Sequence, residues 1–545
     1  MKKGLLFLVL FCMFLPVPHE AEATFEFMDG KLRVKGRFEQ YMVFLTNLPK
    51  TDLFYRHRGG PAVNQSIFTL EGLYNVVDDG DWLINFQSYL RYYYESAPDW
   101  DDKMHRSFST KRRMHKKYMT NRYDSDDWIN EMYLDIYKGP WNIRLGKQVV
   151  AWSEVEMVQT IDKINPIDLR YATPGIQPFD EIKLGLWMFR GFYNSSLPGN
   201  LIFETIFIPG DFERTRTPFE GTWSARAPGP PPQPGSTGVG SNPKGISGQP
   251  GQGDSVYWMM DQATPRLSIN NYQLALRVRG NSEFFLFNTP YIVDWTLSYW
   301  NGIDTGHAVF TDTERVNAAL NANAFSRLFQ AESLEMPYGR DVAEWKRYSA
   351  IGGSFQSYIP QLGGVLRSEL SYEFGRKWNR IDPDNVTLGV VGSLGDFAPG
   401  DIKSDFISYG ITLDKPFCVP FYGDRMQRWG VRPCWDVTLG VFGGYFLGNY
   451  KRIWQWSQGY GYRYNTFLTM MIRGGFRHNE FIPVLRAQYN PRNFGYISPG
   501  LTYMPGKHMR IQLGYIYFWA NDPSIHRQAA VEDRDMAYMR FRWEY

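Results

Sequence analysis

The sequence predicts an all-β protein: a transmembrane antiparallel up-and-down β-barrel of about 16–18 strands, with short periplasmic turns and long external loops. Three observations lead there. The last nine residues, 537–545, alternate apolar and polar without a break. Period two puts Ala537, Met539, Phe541, Trp543 and Tyr545 on one face and Arg540, Arg542 and Glu544 on the other. The connections between strand-like segments also alternate between short and long along the chain. Finally, beyond the first 23 residues no stretch approaches the ~20 apolar residues that a membrane helix needs.

The N-terminus reads as an export signal. Met1-Lys2-Lys3 is a basic n-region, residues 5–15 form an apolar h-region too short to span a bilayer, and Ala21-Glu22-Ala23 is a small-x-small cleavage site. Residues 1–23 are therefore expected to be removed, with Thr24 as the first mature residue and Cys12 lost with the peptide. Residues 24–545 read as one domain destined for the cell outer membrane of a Gram-negative bacterium, since no linker separates independently patterned parts. The chain is 17% aromatic yet 21% charged. A barrel combines these, because its strands are only half apolar and its aromatic residues gather in girdles at the two interfaces. A net charge of +3 is close to neutral and gives no reason to expect a nucleic-acid partner.

In chain order the strand candidates are 32–46, 66–77, 82–96, 130–137, 141–149, 182–192, 199–208, 271–280, 291–300, 345–357, 363–374, 403–414, 434–447, 464–476, 480–489, 495–504, 509–519 and 537–545. Merging two pairs would leave sixteen, and single-chain bacterial barrels use even numbers. Even-to-odd connections such as 78–81, 138–140 and 477–479 are short and rich in the Gly, Pro, Asn and Asp that tight turns demand. Odd-to-even connections are long, except 490–494. A soluble β-protein has no cause to sort its loops by parity.

The exception among the short connections is 415–433, flanked by Cys418 and Cys434, the two cysteines left after cleavage. An even pair in an exported chain reads as a disulfide, and closing about 15 residues contributes roughly 3 kcal/mol by the chain-entropy argument.

Three long loops carry distinct compositions. Loop 209–270 contains a Pro/Gly/Ser-rich part, 225–253, expected to be disordered. Loop 301–344 contains 312–336, whose helix-forming composition suits either a plug in the mouth or a surface ornament. Loop 97–129 sets two Asp clusters around a basic run, 111–117. It reads as a solvated loop or, more sharply, as a contact for lipopolysaccharide phosphates through Lys111, Arg112, Arg113, Lys116 and Lys117.

Alternation assigns the lumen face. Arg91 belongs to the polar face of 82–96, Glu131 and Asp135 to that of 130–137, and Arg144 to that of 141–149. Arg367 and Glu369 follow in 363–374, Arg510 in 509–519, and Arg540 and Arg542 in the last strand. The lumen is thus expected to be polar and of mixed sign with an Arg excess, which favours anions modestly. The alternative is that these charges only neutralise one another across strands.

The run Asn142-Ile143-Arg144-Leu145-Gly146-Lys147-Gln148-Val149-Val150-Ala151-Trp152-Ser153-Glu154, followed by Lys163-Ile164-Asn165-Pro166-Ile167-Asp168-Leu169, carries a resemblance. It resembles the signature of a bacterial outer-membrane β-barrel family catalogued as a domain of unknown function (number 1302). That signature is a strand ending in a Leu-Gly-Arg-Gln-x-x-x-Trp-Gly-Glu-like run, then an Asn-Pro-x-Asp element. Lys147 stands here for the Arg and Ser153 for the Gly. The resemblance is sharp over roughly 130–190 and implies a porin-like channel, of a kind proposed to serve the traffic of hydrophobic compounds. It supplies no catalytic residues, and Trp152, Glu154, Asn165 and Asp168 are expected to shape an inward-folded loop.

The function expected is passive transport of small or amphiphilic solutes through the polar lumen, without cofactor or metal. An enzyme is the rival class, but no Gly-x-Ser-x-Gly nucleophile motif accompanies the few histidines. A barrel scaffold sheathing a periplasmic electron-transfer cytochrome is the third reading, with that periplasmic protein as partner. No Cys-x-x-Cys-His haem site occurs in the chain itself. The other partners expected are outer-membrane lipid and lipopolysaccharide, and the barrel-assembly machinery through strand 537–545.

Overall fold

The structure, a computed structural model, describes residues 24–46, 61–97, 128–155, 160–168, 179–216, 265, 267–286, 289–306, 308–315, 317, 343–382, 396–418, 422–455, 459–460, 463–491, 494–520 and 535–544. Eighteen strands form the wall: β1 Leu32–Leu45, β2 Pro61–Asp78, β3 Leu83–Glu95, β4 Ile129–Lys138, β5 Trp141–Gln148, β6 Leu186–Asn194, β7 Ile202–Ile208, β8 Gln273–Leu286, β9 Thr289–Ile303, β10 Arg347–Ile359, β11 Gly364–Phe374, β12 Phe406–Cys418, β13 Cys434–Phe446, β14 Tyr464–Arg473, β15 Phe481–Asn490, β16 Phe494–Tyr503, β17 Met509–Ala520 and β18 Met536–Glu544. Each pairs antiparallel with its sequence neighbours. β1 closes the ring on β18, from Arg37↔Glu544 to Leu45↔Met536. Closure leaves no unpaired edge, which is what lets a sheet stand in hydrocarbon. A short strand, Phe25–Phe27, adds to the start of β1.

All eighteen expected strands are present, so the sixteen-strand alternative falls. Boundaries differ in two informative places. Segment 182–192 becomes a wall strand only at Leu186, because Phe179–Ile182 forms a turn of helix inside the loop. Strands 271–280 and 291–300 run longer and nearly meet, with Leu286 paired to Thr289. The signal segment, most of loop 97–129, loop part 225–253 and nearly all of 312–336 lie outside the described residues, as does Tyr545.

The period of two sorts the side chains as expected. Leu134, Leu145, Leu297, Ile351, Leu370, Leu439 and Leu513 stand exposed on the outer face. Above and below this apolar belt lie aromatic groups. Trp141 meets Tyr193 at 4.6 Å and Phe481 meets Tyr503 at 4.6 Å on the short-turn rim. Tyr92 meets Trp128 at 5.3 Å on the long-loop rim. An outer face built this way suits a bilayer.

Cys418 and Cys434 are register partners at the end of β12 and the start of β13 and are joined by a disulfide. The bond closes the long connection 419–433, which holds a short helix, Asp424–Arg428. At the opposite rim, Lys377–Asp382 pairs with Asp396–Lys403 as a small ribbon, and Asn379 bonds the Phe310 amide and the Ala308 carbonyl at 2.8 Å each. The ribbon rests on an apolar cluster of Trp378, Phe446 and Ile453.

Candidate functional site

The described parts of the connection from β5 to β6, residues 149–155, 160–168 and 179–185, do not project outward. They turn into the lumen as a strap, and their sequence explains the turn. Gly146 has φ +140°, and a Cβ there would sit 2.2 Å from the Met132 carbonyl oxygen, so only glycine allows β5 to lie this close to β4. Past Gln148 the outgoing and returning legs are tied together. Asn165 donates to the carbonyls of Gln148 (3.1 Å) and Leu184 (2.7 Å) and accepts from the Val150 amide (2.7 Å). Lys183 is buried against Asp162 at 2.6 Å and donates to the Val150 carbonyl at 3.0 Å. Asp168 is buried, and its amide donates to the Ile182 carbonyl at 2.7 Å. Val150, Trp152, Ile161 and Ile164 of the strap pack with Leu186, Met188, Ile206, Ala275, Trp300 and Ala350 of β6–β10. The strap therefore carries a small hydrophobic core within the barrel.

Four carboxylates fix the strap to three sides of the wall. Glu204 on β7 accepts from the Trp152 indole at 3.1 Å and from Arg190 and Arg277 at 2.8 Å each. Glu369 on β11 accepts from the Ser153 hydroxyl at 2.8 Å, from the Val155 amide at 2.9 Å and from the Glu154 amide. Four residues along the same strand, Glu373 pairs with Lys163 at 2.7 Å. Gly410 on β12, the register partner of Glu369, makes room for the strap, since a Cβ there would lie 3.0 Å from Thr160 Oγ1. The third anchor reverses the polarity, with the carboxylate on the strap. Glu181 binds Arg540 at 2.7 Å and Arg542 at 2.8 Å on β18, and Arg91 on β3 donates to its backbone carbonyl. Behind it Glu39 on β1 holds Arg540 at 2.7 Å, Arg37 at 2.9 Å and Arg542 at 3.4 Å. Burial alone would raise the Glu181 carboxyl, but the Arg540 and Arg542 guanidiniums prevail and hold it well below the usual carboxylate range.

The expected lumen residues sit on the inner side of the wall, and their partners matter more than their presence. Glu131 accepts from the Val149 amide at 3.1 Å where the strap begins. Asp135 and Arg144, register partners on β4 and β5, pair at 3.1 Å. Arg367 pairs with Asp414 and bonds Gln356 at 2.8 Å. Arg510 lies opposite Arg542 in register. The expectation of an Arg excess is thus much reduced, because Arg144, Arg367, Arg540 and Arg542 all hold carboxylates. Of the loop motif, Trp152, Asn165 and Asp168 are buried, while Glu154 is exposed toward a recess of about 320 Å³ that also takes in Arg279, Asp294 and Gln356. A second recess of about 450 Å³ touches Arg33, Lys35, Glu71, Tyr89 and Glu131.

Alternation alone did not single out Arg37, Glu39, Arg190, Glu204 and Arg277. For Arg37, Glu39 and Arg277 the signal was present in the sequence, since each lies on the polar phase of its strand, whereas Arg190 and Glu204 are lone charges among Leu186, Met188 and Phe192 and among Ile202, Ile206 and Ile208. Glu181 had no such signal, because it belongs to no strand.

Residues 2–456 match the family described as "Protein of unknown function (DUF1302)", and the chain belongs to that family. No curated protein matches the sequence. Among solved structures the fold is similar to OmpF of Salmonella typhi in complex with daunomycin, at 8% identity over 94% of this chain and 97% of that one, TM-score 0.39. It is similar to OccAB4 of Acinetobacter baumannii at 8% identity, 94% and 97% coverage and TM-score 0.43. It is also similar to the outer membrane protein opdK of Pseudomonas aeruginosa at 9% identity, 94% and 98% coverage and TM-score 0.41. At such identities the likeness is one of barrel architecture.

Proposed function

We propose that this member of the family is a non-enzymatic, porin-like channel of the outer membrane. It lets small or amphiphilic solutes move passively through a polar lumen that the strap narrows. The observation that carries the reading is the strap itself. A loop anchored by Glu204, Glu369 and Glu181 to three sides of a charged inner wall leaves polar recesses beside it rather than a uniform bore. Charged linings of this kind select by sign and size. Since most guanidiniums are paired, the reading expects a weak preference for anions, set by Arg279 and Arg510 together with the clusters that line the recesses. Residues 1–23 would export the chain and the closing strand would address the assembly machinery. The basic run 111–117 would meet lipopolysaccharide.

Single-channel recording of purified protein in planar bilayers, with a panel of ions and amphiphiles, tests this. Discrete conductance steps with a mild anion preference are expected. If neither conductance nor solute uptake is found under any condition, the channel reading gives way to a scaffold around a periplasmic cytochrome.

A further inference from the structure

Most charges on the inner wall neutralise one another. Arg144, Arg190, Arg277, Arg367 and Arg540 each hold a carboxylate. The recess of about 320 Å³ beside the strap departs from that pattern, because Arg279, Asp294 and Glu154 line it and all three are exposed. Among the described residues, none of these three side chains holds an ion pair.

The register of the wall keeps the three charges apart within one space. Arg279 on β8 lies opposite Thr296 on β9, and Asp294 lies opposite Asn281. The two charges are thus diagonal neighbours on one face, rooted roughly 7–8 Å apart. On β10, Ser354 stands opposite Thr296 and Gln356 opposite Asp294. Ser354 in turn stands opposite Glu369 on β11, and Glu369 receives the Glu154 amide. The strap therefore delivers Glu154 to the same row of the wall that carries Arg279. The neutral neighbours are already engaged: Thr296 and Ser354 bond one another at 2.7 Å, and Gln356 accepts from Arg367 at 2.8 Å.

One guanidinium and two carboxylates around a polar space match a ligand that brings both signs at once. A guanidinium forks onto a planar carboxylate, whereas an ammonium is a compact charge with three donors that can meet two carboxylates together. A simple anion would face Asp294 and Glu154 as like charges, and a simple cation would face Arg279. The uncharged amides of Asn200 and Asn281 complete the lining and suit a short polar side chain.

We propose that this recess is a binding site for small zwitterions of the α-amino acid class. Arg279 receives the carboxylate, and Asp294 with Glu154 of the strap receives the ammonium. The proposal rests on the channel reading for its physiological meaning and names a solute class for it.

The test reads binding apart from conduction, by saturation-transfer NMR on the full-length protein in detergent. L-Glutamine is the zwitterion, N-acetyl-L-glutamine the matching anion and L-glutaminamide the matching cation. A pH of about 6.5 keeps the amines protonated, being below the usual α-amino value of about 7.7–8.0. Glutamine should bind saturably and about fivefold tighter than either analogue, the scale of one partly exposed charge pair. Arg279→Gln should remove that advantage over glutaminamide, and Asp294→Asn should remove it over N-acetylglutamine. These opposite responses separate recognition from a general loss of structure, and heat-modifiable migration verifies that the barrel is intact. Equal binding of the three ligands by wild type, or binding of none, would leave three hydrated charges and overturn the proposal even in a conducting channel. A uniform loss of all three ligands in both variants would overturn it as well. Selective glutamine binding without conductance or uptake into proteoliposomes would sustain the site and remove the channel.

Discussion

The Trp152 indole donates to Glu204 at 3.1 Å while Arg277, which the same carboxylate holds, lies over the indole ring at 5.2 Å. One buried glutamate therefore joins the strap to the wall and neutralises two wall arginines. Glu204→Ala would leave Arg190 and Arg277 buried without their carboxylate. The expected cost is about 3–5 kcal/mol of barrel stability. A lower temperature for the heat-modifiable gel shift would register it, and Glu204→Gln should lose less because an amide oxygen still accepts from Trp152.

Glu369 secures the strap by receiving the Ser153 hydroxyl and two backbone amides. Glu369→Ala removes that acceptor without disturbing the Trp152 cluster. Stability should fall by roughly 1–3 kcal/mol, the usual penalty for stranding buried donors. Single-channel traces should become noisier as the tip of the strap moves.

The glycine on the adjoining strand offers a steric counterpart. Gly410→Leu would place a side chain where Thr160 Oγ1 lies 3.0 Å from the position of a Cβ. The wall should still close, since β12 keeps its pairing, but the strap must retreat. Altered conductance with an unchanged β-dominated circular dichroism spectrum is the expected result.

Acid should release the third anchor late. The depressed Glu181 carboxyl contributes stability that is fully present above its unfolded value of about 4.3. That contribution declines as pH falls below this value and is lost once pH passes through the lowered folded value. The stability that this one anchor contributes, read as the difference in heat-modifiable melting between wild type and Glu181→Gln, should thus be flat from neutral pH down to about pH 4.5 and change only in stronger acid.

The disulfide lies where β12 and β13 already pair. Removing it by Cys418→Ser with Cys434→Ser should leave the barrel folded but render connection 419–433 sensitive to protease. Non-reducing peptide mapping of wild type should recover the two cysteine peptides linked, and reduction should separate them.

The sequence by itself determined the positions of the strands, the inner and outer faces of those six whose alternation was read, the contrast of short and long connections, and the pairing of Cys418 with Cys434. These are local or near-local properties: a period of two, turn chemistry, and two cysteines. It also marked Trp152, Asn165 and Asp168 as residues of an inward loop through a family resemblance. What it left undecided was which charges meet. Asp135 with Arg144 was within reach, because the two strands are joined by a tight turn. Glu204 with Trp152 and Glu369 with Ser153 depend on where the strap lands, and Glu181 meets Arg540 across 359 positions of chain. Alternation gives the face of a side chain but not its depth or partner, so the Arg excess seen in the pattern became, in the closed barrel, a set of ion pairs. Only closure of the ring, which carries β18 round to β1, brings Arg540 and Arg542 to the Glu181 carboxylate while Arg91 on β3 bonds the same residue's backbone carbonyl.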